Sequence, residues 1–127
     1  MLLIRDAQMQ ALEAARFQDW LGVHLRRFFP EECRALSGTA LASRIEVAVA
    51  RAQSYGFRGP ADVCRYLDVM FALGPDFEAD DALRWAGEIL EDPAITDMTA
   101  RMDALEAATR EHLATVARES AQGERQG

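Results

Sequence analysis

The chain has no lysine and no asparagine, and holds only two cysteines, four prolines and eight glycines. Its positive charge is therefore all arginine, fourteen residues against twenty-one Asp and Glu, for a net charge of −7. That balance argues against a nucleic-acid partner, whose binders present a net basic face. Cys33 and Cys64 are too few for a disulfide framework, so free thiols and a reducing cytoplasm are expected. No apolar run approaches the roughly 20 residues that a membrane helix needs. The opening Met-Leu-Leu-Ile-Arg-Asp has no basic stretch followed by an apolar one, which speaks against a signal peptide. Val, Ile, Thr, Tyr, Phe and Trp never cluster as they do in strands.

The residues that are abundant point to helices. Half of the 127 residues are apolar and 28% are charged, the balance of one globular domain. Alanine alone occurs 23 times. Ala, Leu, Arg and Glu are strong helix formers. Rich Ala and Arg without Lys is also the bias of a GC-rich bacterial coding sequence.

A first helix is expected from an Asp6 N-cap to Phe29, with Phe17, Leu21, Leu25 and Phe28 on one face. Pro30 ends it, because the residue before a proline is pushed out of the α region. Pro30 then opens a short second helix, with Glu31 and Glu32 well placed for its dipole. Thr39 is the expected cap of a third helix, whose stripe is Leu41, Ile45, Ala48, Val49 and Ala52, and Gly56 is its C′ residue. Gly59-Pro60 restarts the chain, and Val63, Leu67, Met70 and Phe71 form one face of a fourth helix. Gly74-Pro75 stops it. Asp80 caps a fifth helix to about Glu91, and Thr96 or Asp97 caps the longest, to about Glu119. The last helix carries a seam of Met98, Met102, Leu105, Thr109, His112 and Val116, heptad-like but with two polar positions. The reading is all-α: a single irregular bundle of five or six helices over residues 1–119, with 120–127 a flexible C-terminal tail. Helices three and four form a central hairpin that buries Val49, Leu67, Met70 and Phe71.

No catalytic motif stands out. Asp76, Glu78 and Asp80 alternate like calcium ligands. An EF-hand loop, however, needs Gly where this chain has Asp81, and a bidentate Glu where it has Gly87, with Glu88 one residue late. His24, Cys33, Cys64 and His112 are the soft metal donors. They are scattered, with no pair closer than nine residues, so no metal and no cofactor are expected. His24 and Cys33 offer the one conceivable thiol–imidazole pair, Cys33 near a helix start having a lowered pKa. Gly56-Phe57-Arg58-Gly59 matches a Gly-x-x-Gly nucleic-acid clamp, but that fold needs a sheet and a basic groove. A connection between two helices is the simpler reading.

Arg26-Arg27-Phe28-Phe29 has the composition of an interface, adjacent arginines with aromatics. Tyr55, Phe57 and Trp85 likewise put aromatics at helix ends, and Asp76 and Phe77 add an acidic loop with a single ring. These nine residues are the expected partner-binding set; the alternative is a core edge covered by the connecting loops.

Several stretches together resemble a known family. They are Ile4 to Met9, His24-Leu25-Arg26-Arg27-Phe28-Phe29-Pro30, Ala52 to Phe57, Asp62 to Phe77, and Trp85 to Pro93. The chain looks like small helical proteins of proteobacteria encoded near type VI secretion effector and PAAR genes, over residues 4 to 95. The resemblance implies an accessory role, as adaptor or chaperone for a secreted effector, toxin or spike component, or as an immunity protein that neutralises a toxin. It carries no catalytic residues with it. The expectation is thus a non-catalytic interaction module with another bacterial protein as partner. A small Cys/His or metal-dependent enzyme is the second class. Self-assembly through the C-terminal helix is the third.

Overall fold

The structure, a computed structural model, describes the backbone of residues 2–126 and the side chains of residues 10, 11 and 13–123. Among these residues there are α-helices and 3₁₀ turns and no strand, so the protein is an all-α bundle. The helices are α1 (Leu2–Phe28), α2 (Pro30–Arg34), α3 (Gly38–Ser54), α4 (Pro60–Leu73), α5 (Arg84–Leu90) and α6 (Met98–Gln126).

The punctuation residues act largely as their chemistry dictates. Pro30 sits at the start of α2, after a non-helical Phe29. The end of α3 is a Schellman motif: Gly56 N–H donates to Gln53 O and Phe57 N–H to Ala52 O, both at 3.0 Å. This turn needs a left-handed residue, and Gly56 supplies it at φ +101°. The motif also turns Phe57 back onto Ala52, and both are fully buried. Pro60 opens α4 after Gly59, and Gly74 closes it at φ +121°, ψ +156°, a region open to glycine alone.

Caps differ from expectation in three places. α1 begins at Leu2, upstream of Asp6. Ser37, and not Thr39, caps α3: its Oγ accepts from Ala40 N–H at 3.1 Å, and Thr39 already lies inside the first turn. Asp80 does cap, accepting from Ala82 N–H at 2.9 Å, but it caps the 3₁₀ turn Asp81–Leu83, and α5 proper starts at Arg84. At the last helix Asp97 is the cap, its Oδ2 accepting from Ala100 N–H at 2.9 Å.

α4 is the centre of the bundle. Val63, Cys64, Tyr66, Leu67, Val69, Met70 and Phe71 are all buried, more than one face of a helix can hold. α3 packs on one side of it, α6 on another, and α1 on a third. The α3–α4 hairpin is therefore central, with Leu67, Met70 and Phe71 buried and Val49 only partly so. Around Tyr66 the rings of Tyr55, Phe57 and Phe77 gather at centroid distances of 6.2, 6.1 and 5.5 Å.

Two arginines hold the connections. Arg51 of α3 donates to Pro75 O (2.6 Å), Asp76 Oδ1 (3.1 Å) and Glu78 Oε1 (2.9 Å), which folds the acidic segment back onto the hairpin. Arg101 of α6 donates to the carbonyls of Leu90 (2.9 Å), Asp92 (2.6 Å) and Ile95, which closes the end of α5 and the turn after it.

The two longest helices run past the core. α1 has 27 residues, about 40 Å of helix. Its described residues before Phe17 are exposed, and burial begins at Phe17 and Gln18. In α6 the seam is buried at Met102, Leu105 and Thr109, then opens, leaving Leu113 and Val116 exposed. The helix continues to Gln126, through residues expected to be a tail; Gly127 lies outside the described residues.

Candidate functional site

On α1, residues 17, 20, 24 and 28 step by three, four and four, so they fall on one face. Their side chains form a continuous stack. Phe17 lies on Trp20 at 6.4 Å between centroids, Trp20 on His24 at 5.4 Å with 17° between planes, and His24 against Phe28 at 4.8 Å. The Arg27 guanidinium sits over the Phe28 ring at 5.4 Å. Leu21 and Leu25, on the neighbouring face, are fully buried and anchor the helix. The stack is not covered: Trp20 is 53% exposed and Phe28 58%. Exposed aromatics arranged as a ridge, with arginine beside them, have the composition of a protein-binding surface.

At the middle of this ridge His24 turns its Nε2 edge to α4. Asp68 Oδ1 accepts from Nε2 at 2.8 Å. Cys64 lies one turn before Asp68 on α4. Its Sγ, a His24 ring nitrogen and an Asp68 carboxylate oxygen all lie within 4.8 Å of one another. Burial raises the Asp68 carboxyl above its ordinary value, an effect opposed by the hydrogen bond and charge of His24. Burial, with a smaller push from the Asp68 charge, lifts the Cys64 thiol to about 11. Cys33, the fourth residue of α2, is likewise raised by burial, partly offset by Arg26. The lowered thiol pKa expected at Cys33 is therefore not found, and the hydrogen bond of His24 goes to Asp68 instead.

The nine expected partner residues divide. Arg26, Arg27 and Phe28 are exposed at the C-terminal end of α1; Phe28 and Arg27 belong to the ridge, whereas Arg26 lies on the side of the helix toward α3. Phe29 is half-buried against Phe71, Tyr55 against Tyr66, and Trp85 against His112. Phe57 and Phe77 are corrected outright: they are core residues at 0% and 1% exposure, because the Schellman turn and the Arg51 clamp fold both inward. Asp76 is exposed but tied to Arg51.

Sequence reasoning misses Trp20 as a surface residue because a large apolar side chain three positions from Phe17 reads as part of the same core face. It misses Asp68 because 44 positions separate that residue from His24. The available signal is the Cys64-x-x-x-Asp68 spacing, which puts two donors on one helix face.

The chain matches no protein-family model, no curated protein and no solved structure. No helix among the described residues is long and apolar enough to cross a membrane.

Proposed function

We propose that this protein is a non-catalytic protein–protein interaction module that takes its partner on the Trp20–Phe28 ridge of α1. The observation that carries this reading is the ridge itself: two large aromatics, each more than half exposed, stacked through His24 on a helix that extends beyond the core. Covering them removes apolar surface worth about 25 cal/mol per Å² from water. Arg27, seated over the Phe28 ring, favours a partner segment that is apolar at its centre and acidic at one end.

The partner we propose is a secreted effector, toxin or spike component, which this protein serves as adaptor or chaperone. The family resemblance supports that assignment. The distribution of acidic groups favours an adaptor over an immunity protein. An inhibitor of a basic toxin would keep free carboxylates on one face. Here the twenty-one acidic residues are spread along the chain, and in the one local cluster Asp76 and Glu78 are tied to Arg51.

Affinity capture from the native cell, read by mass spectrometry, tests the reading. Recovery of one effector or spike protein in near-equal amount supports it, and a complex that still permits loading identifies an adaptor. Recovery of the protein alone overturns it.

A further inference from the structure

The ridge has a second side. Where His24 meets α4, three side chains of metal-ligating type converge from two helices, and the interaction reading uses the His24 ring face but none of the donor atoms.

Cys64 and Asp68 stand four residues apart on α4, one above the other on the same face. His24 closes the triangle from α1. The three donor atoms lie within 4.8 Å of one another, with Nε2 and Oδ1 at 2.8 Å. A tetrahedral zinc ion with N and O ligands at about 2.0–2.2 Å and S at 2.3 Å places its donors roughly 3.2–3.6 Å apart. The His24–Asp68 pair must therefore open by less than about 1 Å, and Cys64 must approach by no more than about 1.5 Å, movements within reach of side-chain torsions. The imidazole plane is already set by the Trp20 and Phe28 rings on either side of it.

Donor chemistry narrows the ion. Thiolate with imidazole disfavours Mg²⁺ and Ca²⁺, which want all-oxygen shells, and suits Zn²⁺. One carboxylate completes a three-ligand set. The site lies at the edge of the fold, with the His24 side chain 18% and the Asp68 side chain 37% exposed. Asp68 also lines a surface cavity of about 170 Å³ together with Glu106 and Thr109. A fourth position is thus open to water or to a donor from a bound partner.

We propose that His24, Cys64 and Asp68 bind one Zn²⁺ ion between α1 and α4, with the fourth coordination position facing solvent. On binding, the Cys64 S–H bond breaks, the sulfur lone pair forms the Zn–S bond, and the proton goes to water. The ion displaces the Nε2 proton, which His24 regains at Nδ1, so one proton is released for each ion bound. Bound metal would lock α1 to α4 directly beneath the ridge.

The test uses the full chain, reduced and stripped with chelator, then titrated with Co²⁺ as a spectroscopic probe and back-titrated with Zn²⁺. The expected result is one Co²⁺ per chain, a thiolate-to-cobalt charge-transfer band in the near ultraviolet, the strong visible bands of a tetrahedral ion, and loss of all of them on adding Zn²⁺. Cys64→Ser removes the charge-transfer band. His24→Gln and Asp68→Asn each weaken binding about tenfold or more. Cys33→Ser leaves the spectrum unchanged. Far-ultraviolet circular dichroism of each variant confirms its fold, and the wild-type titration decides the matter if a variant does not fold. A wild-type spectrum without the charge-transfer band overturns the site, and so does a band that survives Cys64→Ser or disappears in Cys33→Ser.

Discussion

The Arg51 guanidinium lies 2.9 Å from Glu78 Oε1, and this contact ties the chain between α4 and α5 back onto α3. Glu78 is only 13% exposed, whereas Asp76, the other carboxylate on Arg51, is 76% exposed. An exposed pair contributes about 0–1 kcal/mol, while removing one partner of a largely buried pair strands the other. Arg51→Ala is therefore expected to destabilise by about 2–3 kcal/mol, and Asp76→Ala by less than about 1 kcal/mol. Arg51→Lys recovers only part of the loss, because all three contacts come from Nη1 and the shorter lysine side chain stops short of that position. Urea denaturation of the three variants checks the order.

Arg101 supports the other connection, and its loss is expected to be as costly. Of the three backbone carbonyls it reaches, Asp92 O also accepts from Ile95 N–H, whereas those of Leu90 and Ile95 have no other donor among the described residues. Arg101→Met keeps much of the apolar stem but removes the donors, and is expected to lower stability by about 2–4 kcal/mol. Hydrogen exchange should show the loss first at residues 90–97, where the protected turn opens.

Glycines at helix ends separate into those the fold requires and those it tolerates. At Gly56 an added Cβ would stand 3.1 Å from Met98 Cε, on a backbone with φ +101°. Gly56→Ala is expected to destabilise by about 1–3 kcal/mol. Gly59 has an ordinary φ of −72° and open space around it. Gly59→Ala is expected to be neutral within about 0.5 kcal/mol. Thermal midpoints of the two variants, measured side by side, distinguish them.

Tyr66 gives the clearest pH dependence. It is fully buried, its hydroxyl has no hydrogen-bond partner among the described residues, and burial with the nearby Glu78 charge raises its pKa. An acid whose folded pKa is raised keeps its stabilising contribution below its unfolded pKa, about 10 for tyrosine, and loses it as pH rises beyond. The wild type should therefore lose stability above about pH 10 more steeply than Tyr66→Phe. At neutral pH the same substitution should be neutral or slightly stabilising, since it removes a buried polar group that nothing satisfies. Chemical denaturation at pH 7 and above pH 10 measures both effects.

The helices are legible in the sequence because Pro30, Gly56, Gly59-Pro60 and Gly74-Pro75 mark their ends by backbone chemistry that acts locally. The cap of α3 is read two residues late, at Thr39 and not Ser37, since Ser and Thr are nearly equivalent caps and only the local turn chooses between them. Phe57 and Phe77 read as edge aromatics because composition does not say which way a turn folds. For Phe57 a signal exists: the residue after a C′ glycine packs back on its helix. Of the His24–Cys64–Asp68 cluster only the Cys64-x-x-x-Asp68 half is legible as a local spacing; His24 joins it through the way α1 crosses α4, which no local pattern states.

The most direct test of the central claim is capture from the native cell with two baits, the wild type and a Trp20→Ser/Phe28→Ser double variant. Both positions are more than half exposed, so the variant should keep the wild-type circular dichroism and thermal midpoint within a few degrees. The account predicts that the wild type brings down one protein in near-equal amount and that the folded variant recovers at least tenfold less of it, the loss of about 1.4 kcal/mol or more of binding energy. Equal recovery by the two baits, or no partner with either, would contradict it.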